Sequence, residues 1–230
     1  MKAATKKVVQ IIVLASLALV LMGASPAAAP VAVTGSINTA SNFSSSPTLD
    51  EFVSNVSGGS AEQLAGLYVE NVLALPVVQQ PSGNAVFVSS REGEVTQFSL
   101  ASKFGNTGIL AHNYLAGQAF FNIQLGDEIV LVKGNGSQVV YRVREMHRFQ
   151  ALSPNSPYSK FIDMSDPNQT QISATDLFYR TFGAGQGNLV LQTCITEGDE
   201  PSWGRLFIIA EPVPASQLVF EALQFAVKLS

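Results

Sequence analysis

A single cysteine, Cys194, and two histidines, His112 and His147, are the side chains of this 230-residue chain best suited to covalent or acid–base chemistry. A thiol acts as a nucleophile on a carbonyl only where a base or a cation favours the thiolate. Cys194 ends the run Leu-Val-Leu-Gln-Thr-Cys. A period of two puts Leu189, Leu191 and Thr193 on one face and Val190, Gln192 and Cys194 on the other. The polar turn Thr196-Glu197-Gly198-Asp199 follows, which predicts a thiol delivered at a strand end beside a loop. The plain alternative is a small buried core residue. Arg205 opens the next apolar run, Arg-Leu-Phe-Ile-Ile-Ala. Runs 189–195 and 205–211, joined by a short loop, predict an antiparallel pair with Cys194 and Arg205 near one end. A guanidinium there can hold a peptide and stabilise an oxyanion beside the sulfur; the plain alternative is a surface arginine.

His112 ends Thr-Gly-Ile-Leu-Ala-His and is followed by Asn113 and a glycine-containing loop. Its place at a strand terminus mirrors that of Cys194, which makes it the better candidate for the thiol's partner. His147 lies in the charged stretch Arg-Glu-Met-His-Arg and reads as exposed. One cysteine and two separated histidines lack metal-ligand spacing, so no metal site and no cofactor are expected. Glu197, Asp199 and Glu200 are better read as a solvated turn than as calcium ligands. The formal charge of −4 and the absence of a basic block beyond the N-terminus offer nothing to nucleic acid or to an anionic membrane surface. A lone cysteine also forms no internal disulfide.

These residues need a frame. Lys2, Lys6 and Lys7, the apolar stretch from Val8 to Ala24, and Ala27 and Ala29 predict an export signal over 1–29, cleaved after Ala29. An uncleaved N-terminal membrane anchor is the alternative. Residues 30–47 are rich in Ala, Ser, Thr and Asn and read as a flexible linker. The domain then spans 48–230. Ser60 with Gln63 predicts a capped helix over Ala61–Leu75, its apolar face formed by Leu64, Leu67, Tyr68 and Val72 and its end set by Pro76. Strands are predicted over Ala85–Ser89, Glu94–Leu100, Thr107–Ala111, Glu128–Lys133 and Gln138–Met146, the last two joined by the turn Gly134-Asn135-Gly136. A long segment, Gln150–Asn188, interrupts them and carries a short helix near Ala174–Phe182, capped by Ser173 and ended by Gly183. Strands Leu189–Ile195 and Arg205–Glu211 and a closing amphipathic helix Ala215–Leu229 complete the pattern. Many short strands with turn signals predict a mostly β fold, a closed or nearly closed barrel with short peripheral helices.

The run Leu191-Gln-Thr-Cys-Ile-Thr-Glu-Gly with Arg205 opening the next strand resembles the sortase signature. Gly108-Ile-Leu-Ala-His112-Asn, then Phe120-Phe and Leu125-Gly-Asp-Glu-Ile, is similar to the sortase histidine strand and the strand after it. The order His, Cys, Arg also agrees, and the likeness runs from about Ala85 to Pro212. It implies an eight-stranded sortase β-barrel and a transpeptidase at the cell surface. Cys194 would attack a sorting-motif peptide to form a thioacyl enzyme. His112 would act as acid and base, and Arg205 would hold substrate and oxyanion. An amine on a cell-wall precursor or pilin would resolve the intermediate, with hydrolysis as a side reaction. Segment 150–188 would set specificity. Thr193, Gln192 and Asn113 are candidate substrate-binding residues, Asn113 also as an orienter of the histidine. Ala111 stands where many sortases have glycine. Papain-like enzymes place Cys before His, and L,D-transpeptidases carry a histidine just before the cysteine, so both fit worse. Gln192-Thr-Cys194 is similar to the caspase Gln-Ala-Cys, but the residues that follow differ. The rival from another class is a catalytically silent secreted barrel that binds peptide or polysaccharide.

Overall fold

The computed structural model describes residues 46–228, with side chains 222 and 225 left out. The export-signal expectation for 1–29, and the linker up to residue 45, lie outside the described residues. Ten strands form one sheet: β1 Leu64–Val69, β2 Leu73–Gln79, β3 Val95–Phe98, β4 Thr107–Leu110, β5 Glu128–Lys133, β6 Gln138–Ala151, β7 Lys160–Asp163, β8 Gln171–Ser173, β9 Leu189–Glu197 and β10 Glu200–Pro212. Their order is β10-β9-β4-β3-β2-β1-β5-β6-β7-β8, and β10 pairs with β6 as well. That last pairing closes eight strands into a ring and leaves β7 and β8 as an extension of β6. Closure removes the ring's exposed edges. Two neighbours run parallel, β2 with β3 and β4 with β9. The mostly β, closed eight-stranded barrel with short peripheral helices is therefore what the chain forms.

Alternation along each strand separates two apolar cores. Inward residues such as Leu67, Ile109, Ile129, Leu131, Leu189, Leu191, Leu206 and Ile208 fill the barrel. One mouth is plugged by a 3-10 helix, Ala116–Asn122, which sends Ala116 and Phe120 into the same core. Outward residues of β3, β4, β9 and β10 form a second core with the segment after β6: Phe98, Leu110, Val190, Phe207 and Ile209 meet Phe161, Ile172, Leu177, Phe178 and Phe182. Edge-on rings knit it, with Phe182 centroids 4.9 Å from Phe98 and 5.7 Å from Phe207. Helix α3, Ala174–Arg180, belongs to this layer and carries the expected Ser173 cap, completed by Asp176 as a capping box.

The helix expected over Ala61–Leu75 is instead the β1–β2 hairpin. Leu64 and Leu67 face the barrel interior while Tyr68 packs outside against Phe52. Burial on both faces gives an apolar run whose spacing imitates a helix stripe. Asn71 makes the reversal in the left-handed region at φ 59°, and Pro76 sits exposed within β2 rather than ending a helix. The capping box that does form lies earlier, Thr48 with Glu51, at the start of α1, Leu49–Val56. Phe52 of α1 covers β1 at Gly66, where a Cβ would stand 2.7 Å from the Phe52 ring. Gly66→Ala is expected to lift α1 off the barrel and to cost about 1–3 kcal/mol, read as a drop in the urea midpoint.

Ala85–Ser89 forms no strand. It is irregular, held by Gln80 Nε2 donating to the Ala85 and Phe87 carbonyls and by Ser89 N–H donating to Thr96 Oγ1. Predicted strand Glu94–Leu100 divides into β3 and a one-turn helix, α2, Ser99–Ser102. The closing helix, α4, spans Ala215–Lys228.

Candidate active site

The register of β4, β9 and β10 writes three cross-strand rows on the outer face of the barrel. The first joins Gly108, Val190 and Ile209, and the second Leu110, Gln192 and Phe207. The parallel register continues past β4, since Ala111 N–H donates to the Gln192 carbonyl at 3.2 Å. His112 therefore falls beside Cys194, and Cys194 pairs directly with Arg205. Adjacent strands lie about 4.8 Å apart, so the backbone positions of His112, Cys194 and Arg205 fall on one cross-strand row. Of the three residues that the sequence singled out, Cys194 and Arg205 pair directly across β9 and β10, and His112 follows β4, the neighbour of β9 on its other side.

Cys194 is more enclosed than its sequence context predicts. β9 runs on to Glu197, and β10 begins at Glu200 rather than at Arg205, so neither residue is at a strand end. Cys194 is fully buried. Burial pushes its thiol up from the ordinary range, against the pull of the Arg205 guanidinium and a hydrogen bond with the Ser202 side chain. Arg205 is itself 2% exposed. Its Nη1 donates to the Ser202 and Gly204 carbonyls, both at 2.8 Å, and its guanidinium lies 5.9 Å from the Phe161 ring centroid of β7. The insertion thus lies over the cationic end of the row.

His112 is buried, and its Nδ1 has no hydrogen-bond partner among the described residues. Burial lowers its pKa, partly offset by the Val88 backbone. The irregular 85–89 segment so bears directly on the ring. Tyr114 stacks on the other side, 5.1 Å between centroids at 28°. These directions set a stability profile. The unfolded chain takes up a proton at His112 near pH 6.5 while the folded chain resists it, so stability falls as pH drops below about 6.5. The unfolded chain releases the Cys194 proton near pH 9 while the folded chain keeps it, so stability falls above about 9.0. Chemical denaturation across pH is expected to show that plateau, with Cys194→Ala flattening the alkaline limb alone.

Of the three candidate substrate-binding residues, only Gln192 shares the face of Cys194. Thr193 points into the barrel end, where its Oγ1 donates to the Ala111 carbonyl at 2.9 Å. Asn113 does not hold the imidazole; its Nδ2 donates to Thr196 Oγ1 and the Pro201 carbonyl, tying the histidine loop to the β9–β10 turn. Gly117 lets this arrangement close, because a Cβ there would stand 2.3 Å from Thr193 Oγ1 and 2.7 Å from the His112 carbonyl. His147 is half-buried and bonds Glu145 at 2.7 Å, away from the row. Its neighbour across β10 is Phe207, one row below Arg205. Among the described residues no cluster of His, Cys, Asp and Glu could hold a metal ion.

An open cleft of about 820 Å³ abuts the histidine loop, lined among others by Glu92, Asn113, Tyr114, Phe121, Ile195 and Thr196. It runs beside the row without including Cys194 or Arg205. Sequence reasoning missed Ser202, Tyr114 and Phe161. The register shift between Glu200 and Gly204 hides Ser202 from any alternation count, and the other two reach the site from loops or distant strands.

No family model matches the chain, and no curated protein matches it in sequence. Solved structures that resemble it include sortase C2 of pilus island 1 from Group B Streptococcus, 11% identical, covering 68% of this chain and 77% of that one at a TM-score of 0.42. A Clostridium perfringens sortase D5 transpeptidase is 16% identical, with 73% and 90% covered at 0.40. Sortase C-1 from Streptococcus pneumoniae is 14% identical, with 68% and 69% covered at 0.43. The barrel's own strand pairings define its fold: the described residues form a closed eight-stranded β-barrel with Cys194 in the barrel wall.

Proposed function

We propose that the chain is an exported cysteine transpeptidase that cleaves a sorting-motif peptide and passes the acyl group to an amine. The observation that carries this reading is the row His112, Cys194, Arg205 on one face. The neutral imidazole removes the thiol proton as Sγ attacks the scissile carbonyl, and Arg205 stabilises the oxyanion that forms. The C–N bond breaks, and His112 delivers the proton to the departing amine. The thioester then meets an amine on a cell-wall precursor or pilin, or water in the side reaction. That attack re-forms a peptide bond, or an acid, and returns the thiol. The 150–188 segment selects the peptide, a role supported by Phe161 lying against Arg205. The other candidates, Gln192 on the thiol's face and Thr193 beneath it, serve respectively as a groove contact and as support for the barrel end.

The complete burial of Cys194 favours a second reading, a binding barrel without catalysis. Intact-mass analysis separates the two. Incubation with a pool of sorting-motif peptides is expected to add one acyl mass at Cys194, discharged by an added amine. A thiol that never acquires the adduct, although it labels with iodoacetamide after unfolding, would leave the binding module standing. His112→Ala is expected to lower acylation by about 10²–10⁴-fold with the barrel intact by circular dichroism.

A further inference from the structure

Gln192 is a carboxamide set in an apolar layer. Its partners across the sheet are Leu110 of β4 and Phe207 of β10, and Val190 precedes it by two on the same face. All three belong to the second core. Gln192 is 3% exposed, and its Nε2 has no hydrogen-bond partner among the described residues. A donor buried in that way weakens a fold, whereas an apolar side chain of similar shape does not. Packing alone therefore calls for Leu or Met at this position. His112 Nδ1 also lacks a partner among the described residues, but the imidazole has a role in the proposed acid–base steps. The amide has none in them. What sets it apart is its place, two residues before Cys194 on the same face of β9, about 6.6 Å along the strand.

We infer that Gln192 holds the main chain of the bound peptide, its Nε2 donating to a backbone carbonyl about two residues from the scissile bond. The inference rests on the proposed function for its ligand, a sorting-motif peptide. Three points favour a peptide carbonyl. The buried atom is a donor, so its ligand is an acceptor. Leu110, Phe207 and Val190 bring no charge to it, which suits a neutral oxygen rather than a carboxylate. And 6.6 Å is the length of two residues of an extended chain, so a peptide laid along β9 with one carbonyl at the sulfur brings another to the amide. Burial is no obstacle peculiar to Gln192. Cys194 is fully buried as well, and a peptide admitted to the thiol is admitted to the position beside it. A backbone contact holds peptides of any sequence, which complements selection by the 150–188 segment.

The test places Gln192→Met and Gln192→Leu in the full chain carrying Cys194→Ala, so that no acyl adduct forms. Without peptide, both variants are expected to raise the urea midpoint. The pool of sorting-motif peptides is expected to raise the midpoint of the Gln192 protein further, and that of the two variants by less, as binding weakens about tenfold. A purely structural role would move the first readout and not the second. In the chain that keeps its cysteine, Gln192→Met is expected to raise KM about tenfold with kcat held, the mark of a contact made equally before and during the reaction. A peptide-induced rise equal in all three Cys194→Ala proteins would overturn the inference, and so would no rise in any of them. A lower midpoint for both variants without peptide would also overturn it, since the amide would then be supporting the fold. Peptide binding that depends on Gln192, in a chain whose Cys194 never acquires the acyl adduct, would uphold the inference and remove the transpeptidase reading instead.

Discussion

Cys194→Ala is expected to abolish acyl transfer, lowering it by at least about a thousandfold, while leaving the barrel folded. The sulfur is the only thiol of the chain, so no second nucleophile of its kind can substitute. The change removes one buried atom from a wall position between β4 and β10, which costs about 1 kcal/mol. Activity and stability therefore part company at this residue. The check is a pair of measurements on one preparation: peptide turnover by mass spectrometry, and the urea midpoint. Turnover close to that of the unaltered chain would remove the thioacyl mechanism altogether. Complete burial adds a kinetic expectation. Alkylation of native Cys194 should be slow, because a buried thiol with its pKa raised holds little thiolate.

Arg205→Lys is expected to lower turnover by about 10²–10³-fold with little change in peptide affinity. The ammonium keeps the charge next to Cys194 but loses the planar fork, which the structure uses in two ways. Nη1 is held by the Ser202 and Gly204 carbonyls, and the guanidinium carbon lies 5.9 Å from the Phe161 ring centroid. A lysine has neither the geometry to keep both carbonyls nor the plane to stack. Arg205→Ala is a different experiment. It empties a site 2% exposed and strips the carbonyls of their donor, so it is expected to destabilise the barrel by about 3–5 kcal/mol. Comparing the two isolates the chemical role from the structural one. Equal turnover for Arg205→Lys and the unaltered chain would assign the oxyanion to other donors.

The glycine beneath the row gives a further expectation. Gly117→Ala pushes on Thr193 Oγ1 and the His112 carbonyl at once. It should shift the histidine loop through the His112 backbone and lower turnover with all three candidate catalytic side chains unaltered. A turnover change with the thermal midpoint held would locate its effect in the loop.

The sequence by itself determined the wall of the barrel that carries the site. Leu189–Cys194 and Arg205–Glu211 are short, largely apolar runs joined by a polar turn, so their pairing is legible, and the shared face of Gln192 and Cys194 follows from a period of two. His112 could be chosen because a chain with two histidines offers few bases, and the Ser173 cap and β5 were equally plain. Only the tertiary structure decided three other things. It decided that Leu64, Leu67, Tyr68 and Val72 belong to a hairpin, because a strand buried on both faces carries the same apolar spacing as a helix. It decided that Cys194 is buried rather than exposed, because β9 and β10 run on past it and Ser202, beyond a register shift, reaches its thiol. And it decided that α4 faces outward, because a helix's period fixes which residues share a side but not which side the neighbouring strands will accept. Local pattern is read along one chain; burial is settled by whatever else the chain brings alongside.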